Sequence, residues 1–402
     1  MLKKGLDFLL ENSIILIAGA FAGLLWANIN HESYEHLLHF EIFKNTLIGY
    51  PLHDAADAAH GMRVINFHYL VNDILMAFFF AIAGKEVWEA TLPGGPLSNA
   101  KKAAVPLISA VGGMIGPAAI YLYGAHLIGQ YAEISNGWAI PCATDIAFSY
   151  LVARLIFGAG HPAVPFLLLL AIADDALGLL IIAVFYPQEE VKILWMLLPV
   201  IAVIIGIIMQ KRGIHSFWPY LIIPGTLSWF GFALAGLHPS LGLLPIIPTL
   251  PHAHADKGLF NWADMEKHDT LNEFEHFWKN PVEVILGLFG LLNAGVVVGA
   301  IGEPTYLVLI GLLLGKPIGI WLTGMFTAKT LKFGLPDGLS SKDLFVLGNA
   351  AAIGFTVALF VSTVAFKPGQ IQDAAKMGAL LSFGAVLTTF IAAKIMRTKK
   401  AK

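Results

Sequence analysis

The run at residues 165–185, PFLLLLAIADDALGLLIIAVF, decides the fold class. A helix needs ~20 apolar residues to cross the ~30 Å hydrocarbon core of a bilayer, and this run has that length. Two carboxylates, Asp174 and Asp175, nevertheless sit near its centre. An ionisable group at mid-membrane costs at least about 2.5–3.5 kcal/mol on insertion scales, so such groups mark function by default. Working outward, the composition agrees with a membrane setting. Of 402 residues, 57% are hydrophobic and 13% charged, with 40 glycines, and the mean hydropathy is +0.73. Soluble chains carry roughly 25% charged residues, so too few charges are present to make a polar skin. The net charge of −2, from 25 basic and 27 acidic side chains, carries no nucleic-acid footprint. Cys142 is the only cysteine, which excludes an intrachain disulfide, a zinc–cysteine site and an iron–sulfur centre.

The same length criterion predicts twelve spans: residues 13–28, 67–88, 103–122, 138–156, 165–185, 194–209, 217–235, 238–250, 281–300, 305–326, 344–366 and 377–393. Lys3 and Lys4 precede the first, but Asp7 and Glu11 interrupt the approach and no small-residue cleavage pattern follows Asn28. The first run is therefore read as a retained helix rather than a signal peptide. Between residues 217 and 250, Gly236, His238 and Pro239 predict two short helices rather than one. With the N-terminus cytoplasmic, most basic residues fall inside, and only Lys44, Arg63, Lys192, Lys367 and Lys376 fall outside. That asymmetry sets an even number of spans with both termini inside. The chain then reads as a single integral membrane domain over 1–402, with an outer loop at about 29–66 and a cytoplasmic loop at about 251–280. The outer loop holds His31, His36, His39, His53 and His60, and the inner loop His252, His254, His268 and His276. In loops this polar, the His252-x-His254 pair is read as solvated rather than as a metal site.

Other polar residues lie where they are costly. Asp145 ends the stretch Pro141-Cys142-Ala143-Thr144-Asp145 in span 138–156. Pro141 removes one backbone donor, so the helix is expected to break and free backbone groups near Thr144 and Asp145. The plainer reading makes Asp145 an interfacial cap on a shorter helix. Adjacent helical residues point about 100° apart. Asp174 and Asp175 therefore divide their tasks, one facing an aqueous cavity and the other a partner helix. Lys316, in Leu314-Gly315-Lys316-Pro317 midway along span 305–326, demands a carboxylate partner at that depth, and Asp174 or Asp175 is the expected one. Gly354-Phe355-Thr356 interrupts span 344–366. Two interrupted helices in corresponding halves point to an inverted-repeat transporter with its ion site where they meet. Half-helix N-termini would face Asp145, and the opposing C-termini Lys316.

On these residues the sequence resembles the NhaA family of bacterial sodium/proton antiporters. The matching stretches are Trp138-Ala139-Ile140-Pro141 with Ala143-Thr144-Asp145-Ile146-Ala147-Phe148, then Asp174-Asp175, Gly315-Lys316-Pro317 and Gly354-Phe355-Thr356. Asn72-Asp73 and Asn293-Ala294-Gly295 are similar too. The resemblance implies an all-α polytopic fold of about twelve helices, with inverted repeats and spans 4 and 11 crossed and interrupted. It implies electrogenic, pH-regulated exchange of cytoplasmic Na+ (or Li+) for external H+, with no cofactor and no enzymatic step. It also implies a place in the bacterial inner membrane amid lipid, and a homodimer. It makes Asp175 the principal ion ligand, Asp145 with Thr144 its support, and Asp174 the bridge to Lys316. Glu86, Glu275 and His276 would form a pH-responsive group at the cytoplasmic funnel. The chain departs from the family at Gly84-Lys85-Glu86-Val87-Trp88-Glu89-Ala90, where the second acid is displaced by one position and a basic pair is missing, and at His238-Pro239-Ser240.

Sodium and protons would compete for the same carboxylates, since hard cations favour oxygen ligands. Three rivals remain. A sodium-coupled symporter of an organic solute could use the same fold. An intramembrane aspartyl protease would need a Gly-x-Gly-Asp motif, which neither Asp145 nor Asp174 has. A passive channel suits a paired lysine and carboxylates less well than saturable exchange does. The topology is open to direct test. A fluorescent-protein fusion at the C-terminus is expected to glow in whole cells, and an alkaline-phosphatase fusion within 29–66 to be active. The opposite pattern would invert the orientation.

Overall fold

The computed structural model describes residues 13–51, 63–252 and 269–400. Lys3, Lys4, Asp7, Glu11, His53, His60, His254, Lys257, Lys267, His268 and Lys402 lie outside them. In chain order the elements are α1 (Ile14–Ile29), α2 (His31–Leu38), β1 (Glu41–Thr46), β2 (Tyr50–Pro51) and β3 (Arg63–Asn66). Then follow α3 (Phe67–Thr91), α4 (Ala100–Leu127), α5 (Tyr131–Cys142), α6 (Ile146–Phe157), α7 (Ala163–Phe185) and α8 (Ile193–Lys211). The remainder are α9 (Phe217–Ala235), α10 (Pro239–Thr249), α11 (Thr270–Asn293), α12 (Glu303–Lys329), α13 (Ser341–Ala350), α14 (Phe355–Ala365) and α15 (Gln370–Met396). Among the described residues, seven helices are long and apolar enough to cross a membrane, and up to nine if each bent pair is one span. The bent pairs are α5 with α6, at 50°, and α13 with α14, at 55°. The helices α1 and α10 are apolar but shorter.

Several boundaries differ from the sequence expectation, and two of the differences have clear reasons. The span expected at 281–300 is a helix over Thr270–Asn293. Asp269 starts it by accepting the N–H groups of Leu271 and Asn272 at 3.0 and 3.4 Å, and the charges of its first turns had masked it as loop. Pro281 lies inside it. The run 344–366 breaks, as Gly354-Phe355-Thr356 implied, but it begins earlier than expected. Ser340 and Asp343 form a reciprocal cap that starts α13 early, and the chain leaves helical geometry between Ala350 and Phe355.

The chain forms two compact units, one of Met1–Trp88 with Ile182–Val297 and one of Glu89–Ile181 with Val298–Lys402. In the first, α1 lies along α11. A Cβ on Gly19 would sit 2.0 Å from the Gly287 carbonyl oxygen, and one on Gly23 2.2 Å from that of Leu291. Small residues one turn apart let two backbones approach where lipid supplies no hydrophobic drive between helices. The segment between α2 and α3 adds a three-stranded antiparallel sheet, ordered β1-β3-β2, to the helices of the described residues. Its register pairs Glu41 with Asn66 and Tyr50 with Val64.

The second unit repeats the glycine device between α4 and α12. Gly116 meets the Gly315 carbonyl oxygen and Gly112 that of Gly319, at 2.3 and 2.5 Å from where a Cβ would stand. This seam sets the depth and rotation of the residue between the two glycines of α12, Lys316. Just before it, Gly311–Gly315 winds as a wider π-turn. Pro317 has no N–H to give the preceding turn, and the extra residue absorbs the clash. Pro224 within Leu221–Gly225 of α9 is treated the same way. An apolar cluster of Val105, Phe157, Leu170, Ile320, Leu344 and Leu347 ties these helices together.

Gly319→Val places its Cβ 2.1 Å from the Gly112 carbonyl oxygen, so it is expected to cost about 1–3 kcal/mol by overpacking. Gly160→Val, where nothing lies within 4 Å, is the control. Thermal unfolding in detergent measures both, and equal melting curves would remove the role given to the seam.

Candidate functional site

The site is built where the two bent pairs break, inside the second unit. Pro141 closes the irregular last turns of α5, and Ala143 and Asp145 are extended, with ψ of 148° and 105°. Backbone groups freed in hydrocarbon must find partners within the protein. Here each break serves the other. The Asp145 N–H donates to the Ile353 carbonyl at 2.7 Å, and the Thr144 hydroxyl donates to the Ala351 carbonyl at 3.0 Å. Gly354 sits so close that a Cβ would lie 3.1 Å from the Ala143 carbonyl oxygen.

The Asp145 side chain is 5% exposed and caps both second halves. Its Oδ1 accepts the N–H of Phe148 in the first turn of α6 at 3.3 Å. Its Oδ2 accepts the N–H and the hydroxyl of Thr356 in the first turn of α14, at 3.3 and 2.6 Å. One carboxylate thus neutralises two positive helix ends. Phe148, Phe355 and Phe383 pack around the pair, with centroids 4.5–6.1 Å apart.

At the other polarity stands Lys316, fully buried. Its ammonium donates to the Cys142 carbonyl, the last of α5, and to Asp174 Oδ2 at 2.7 Å. So of the two carboxylates on α7, Asp174 takes the lysine. Its Oδ1 is buried without a protein hydrogen-bond partner. Asp175, the next residue, is half-buried and points away by one helical step. The arrangement places Thr144, Asp145, Asp174, Asp175 and Lys316 in one unit.

Glu86, Glu275 and His276 belong to the other unit. Glu86 and Glu275 are half-buried and His276 is exposed. At this end the departing residue, Lys85, is buried and makes an ion pair with Glu275, with Asn272 Oδ1 at 3.0 Å. Sequence reasoning placed Lys85 in a span but gave it no partner. It also missed a polar cluster around Asp73, which is fully buried. Tyr50 and Gln188 donate to its two oxygens at 3.0 and 3.1 Å. His238 Nδ1, itself 2.8 Å from Ser240 Oγ, lies 3.6 Å from Oδ1. Asn72 and Asn293 exchange two amide hydrogen bonds alongside, both at 2.9 Å. Burial, then the neighbouring Asp73, hold the Tyr50 phenol well above its usual range, so it remains a donor that ties the three-stranded sheet to α3. The signal was present, since Asp73 in an apolar run must be satisfied internally. Among the described residues, no group of three His, Cys, Asp or Glu is arranged to hold a metal ion.

A helical chain with several membrane-crossing helices, two of them broken at a buried site of paired charges, is a multi-pass membrane transporter in class. The family model for Na+/H+ antiporter 1 matches residues 8–396. A sodium/proton antiporter NhaA of Jannaschia sp. is 52% identical, covering 98% of both chains. Its namesake in Desulfitobacterium hafniense is 47% identical, over 100% of this chain and 98% of the relative. One from Geobacter sulfurreducens is 42% identical, over 99% and 100%. The chain belongs to the Na+/H+ antiporter 1 family.

Removing one partner of a buried ion pair strands the other charge, at about 3–5 kcal/mol. Lys316→Ala is therefore expected to destabilise the protein in detergent by that order. Lys316→Ala with Asp174→Asn should recover most of the loss. If the double variant melts no higher than the single one, the pairing is not what holds these helices.

Proposed function

We propose that this chain exchanges cytoplasmic Na+, or Li+, for external H+ across a bacterial inner membrane, electrogenically and under pH control. The observation that carries the reading is the set of buried carboxylates at two touching helix breaks, in a chain of an antiporter family. The whole of 1–402 acts as one integral transporter domain of twelve passes. To the nine spans, counting each bent pair once, are added α1, α10 and α11. On this reading the two broken spans cross, both termini are cytoplasmic, 29–66 is outside and about 251–280 inside. The protein works as a homodimer in lipid.

Asp175 is the principal cation ligand, with Asp145 and Thr144 completing the site. Asp174 is held by Lys316 through one oxygen. Its Oδ1, which has no protein partner, is the atom that a cation or a proton engages. The carbonyls of Ala351 and Ile353, freed at the second break, each accept one hydrogen bond, from the Thr144 hydroxyl and the Asp145 N–H, so the carboxylates are the main ligands. Sodium and protons compete for these oxygens, and loss of one prepares the site for the other. With two protons entering per sodium leaving, one net charge moves inward. That supplies about 2.3 kcal/mol per 100 mV, and each proton adds about 1.4 kcal/mol per pH unit. Glu86, Glu275 and His276 tune the pH response, with Lys85 pairing Glu275 where the family has other residues.

The symporter alternative is set aside, because relatives 42–52% identical over nearly the whole chain are named sodium/proton antiporters. In everted vesicles with an acid interior, added Na+ is expected to discharge ΔpH, read by a fluorescent dye. Asp175→Asn, inserted at normal levels, should give no response. Undiminished exchange in that variant would remove Asp175 from the site.

A further inference from the structure

Asp145 is capped by two helices, but the two caps are unequal. From α6 it receives only backbone N–H, which any residue but proline supplies. From α14 it receives the N–H of Thr356 and, nearer by 3.3 against 2.6 Å, the Thr356 hydroxyl. The N–H alone meets the helix's need for a cap. The hydroxyl is an added donor that the other first-turn residues of α14, Phe355, Val357 and Ala358, cannot provide. Both side chains are 5% exposed, so water does not compete with this bond. Short hydrogen bonds to a carboxylate are the strong, orienting kind. Two donors from one residue converge on Oδ2 and fix the plane of the carboxylate across the break. Phe355, locked between Phe148 and Phe383, holds the Thr356 backbone still.

We infer that Thr356 is a positioning residue for cation binding: its hydroxyl aims the Asp145 carboxylate so that Oδ2 stays with α14 and Oδ1 is presented to the transported ion. This rests on the reading of Asp145 as part of the sodium site. The ligand is a small hard cation, for which oxygen placement governs affinity. The titratable groups on the surrounding elements include Lys316 on α12, Asp174 and Asp175 on α7, Arg154 at the end of α6, Asp343 at the start of α13, and Asp373 and Lys376 in α15. Lys316 is paired with Asp174 and the Cys142 carbonyl, whereas the 2.6 Å bond to Asp145 comes from Thr356.

The test separates position from packing. Thr356→Val keeps the shape and removes the donor, whereas Thr356→Ser keeps the donor and removes a methyl. In everted vesicles, Thr356→Val is expected to raise the Na+ concentration for half-maximal exchange about tenfold, with maximal rate little changed. Thr356→Ser should stay near wild type. A wild-type half-saturation in Thr356→Val, or equal impairment of both variants, would overturn the inference. If Thr356→Val fails to insert, Thr356→Ala takes its place under the same criteria. Absence of Na+-driven exchange in the wild-type protein would instead sink the transport reading, so the two failures are distinguishable.

Discussion

The structure depends on a carboxylate shared between two helix ends. Breaking a helix in hydrocarbon exposes N–H and C=O groups that have no water to turn to. Two breaks placed back to back solve the problem for each other, and Asp145 completes the solution by meeting the N-terminal ends of α6 and α14 with one negative charge. Lys316 performs the reciprocal task at the Cys142 carbonyl. Neither charge could stay in the apolar interior without the partial charges of the broken helices, and the broken helices could not stay there without the charges.

From that constraint the rest of the second unit follows. Lys316 must reach both the end of α5 and Asp174, so α12 must lie at one depth and rotation against α4. The facing glycines at 112, 116, 315 and 319 permit that approach, and the π-turn before Pro317 absorbs the cost of a proline in the same helix. On the proposed reading, function uses the same economy: a site whose charges are balanced by fixed dipoles leaves its remaining oxygens ready for a mobile cation or proton, so affinity can change with protonation without rebuilding the fold. The first unit contains a second polar interior, around Asp73, but its groups are bonded to one another and to the three-stranded sheet through Tyr50. It reads as a brace for the sheet and for α3.

The membrane class, the buried acids and both interruptions could be read from the chain because their signals are local: an apolar run of fixed length, an ionisable residue within it, a proline or glycine at the break. The need of Lys316 for a carboxylate was legible for the same reason. What could not be read was any pairing between residues distant in sequence whose types are cheap in a membrane. Thr356 is such a residue, since a threonine can return its proton to its own helix and raises no alarm. The start of α11 was hidden by its charges, and Lys85 gave no hint that Glu275, far along the chain, would meet it.

Sequence alone thus determined that this protein lives in a bilayer, where its costly charges fall and that two helices must break, because insertion energy depends on each residue and its immediate neighbours. Only the tertiary structure decided which oxygen meets which donor: Oδ2 of Asp174 on Lys316, where residue spacing alone had left Asp174 and Asp175 open and only the family resemblance pointed to Asp174, and Oδ2 of Asp145 on Thr356. Those choices turn on helix rotation and depth, set by glycine-to-backbone contacts between segments far apart in the chain.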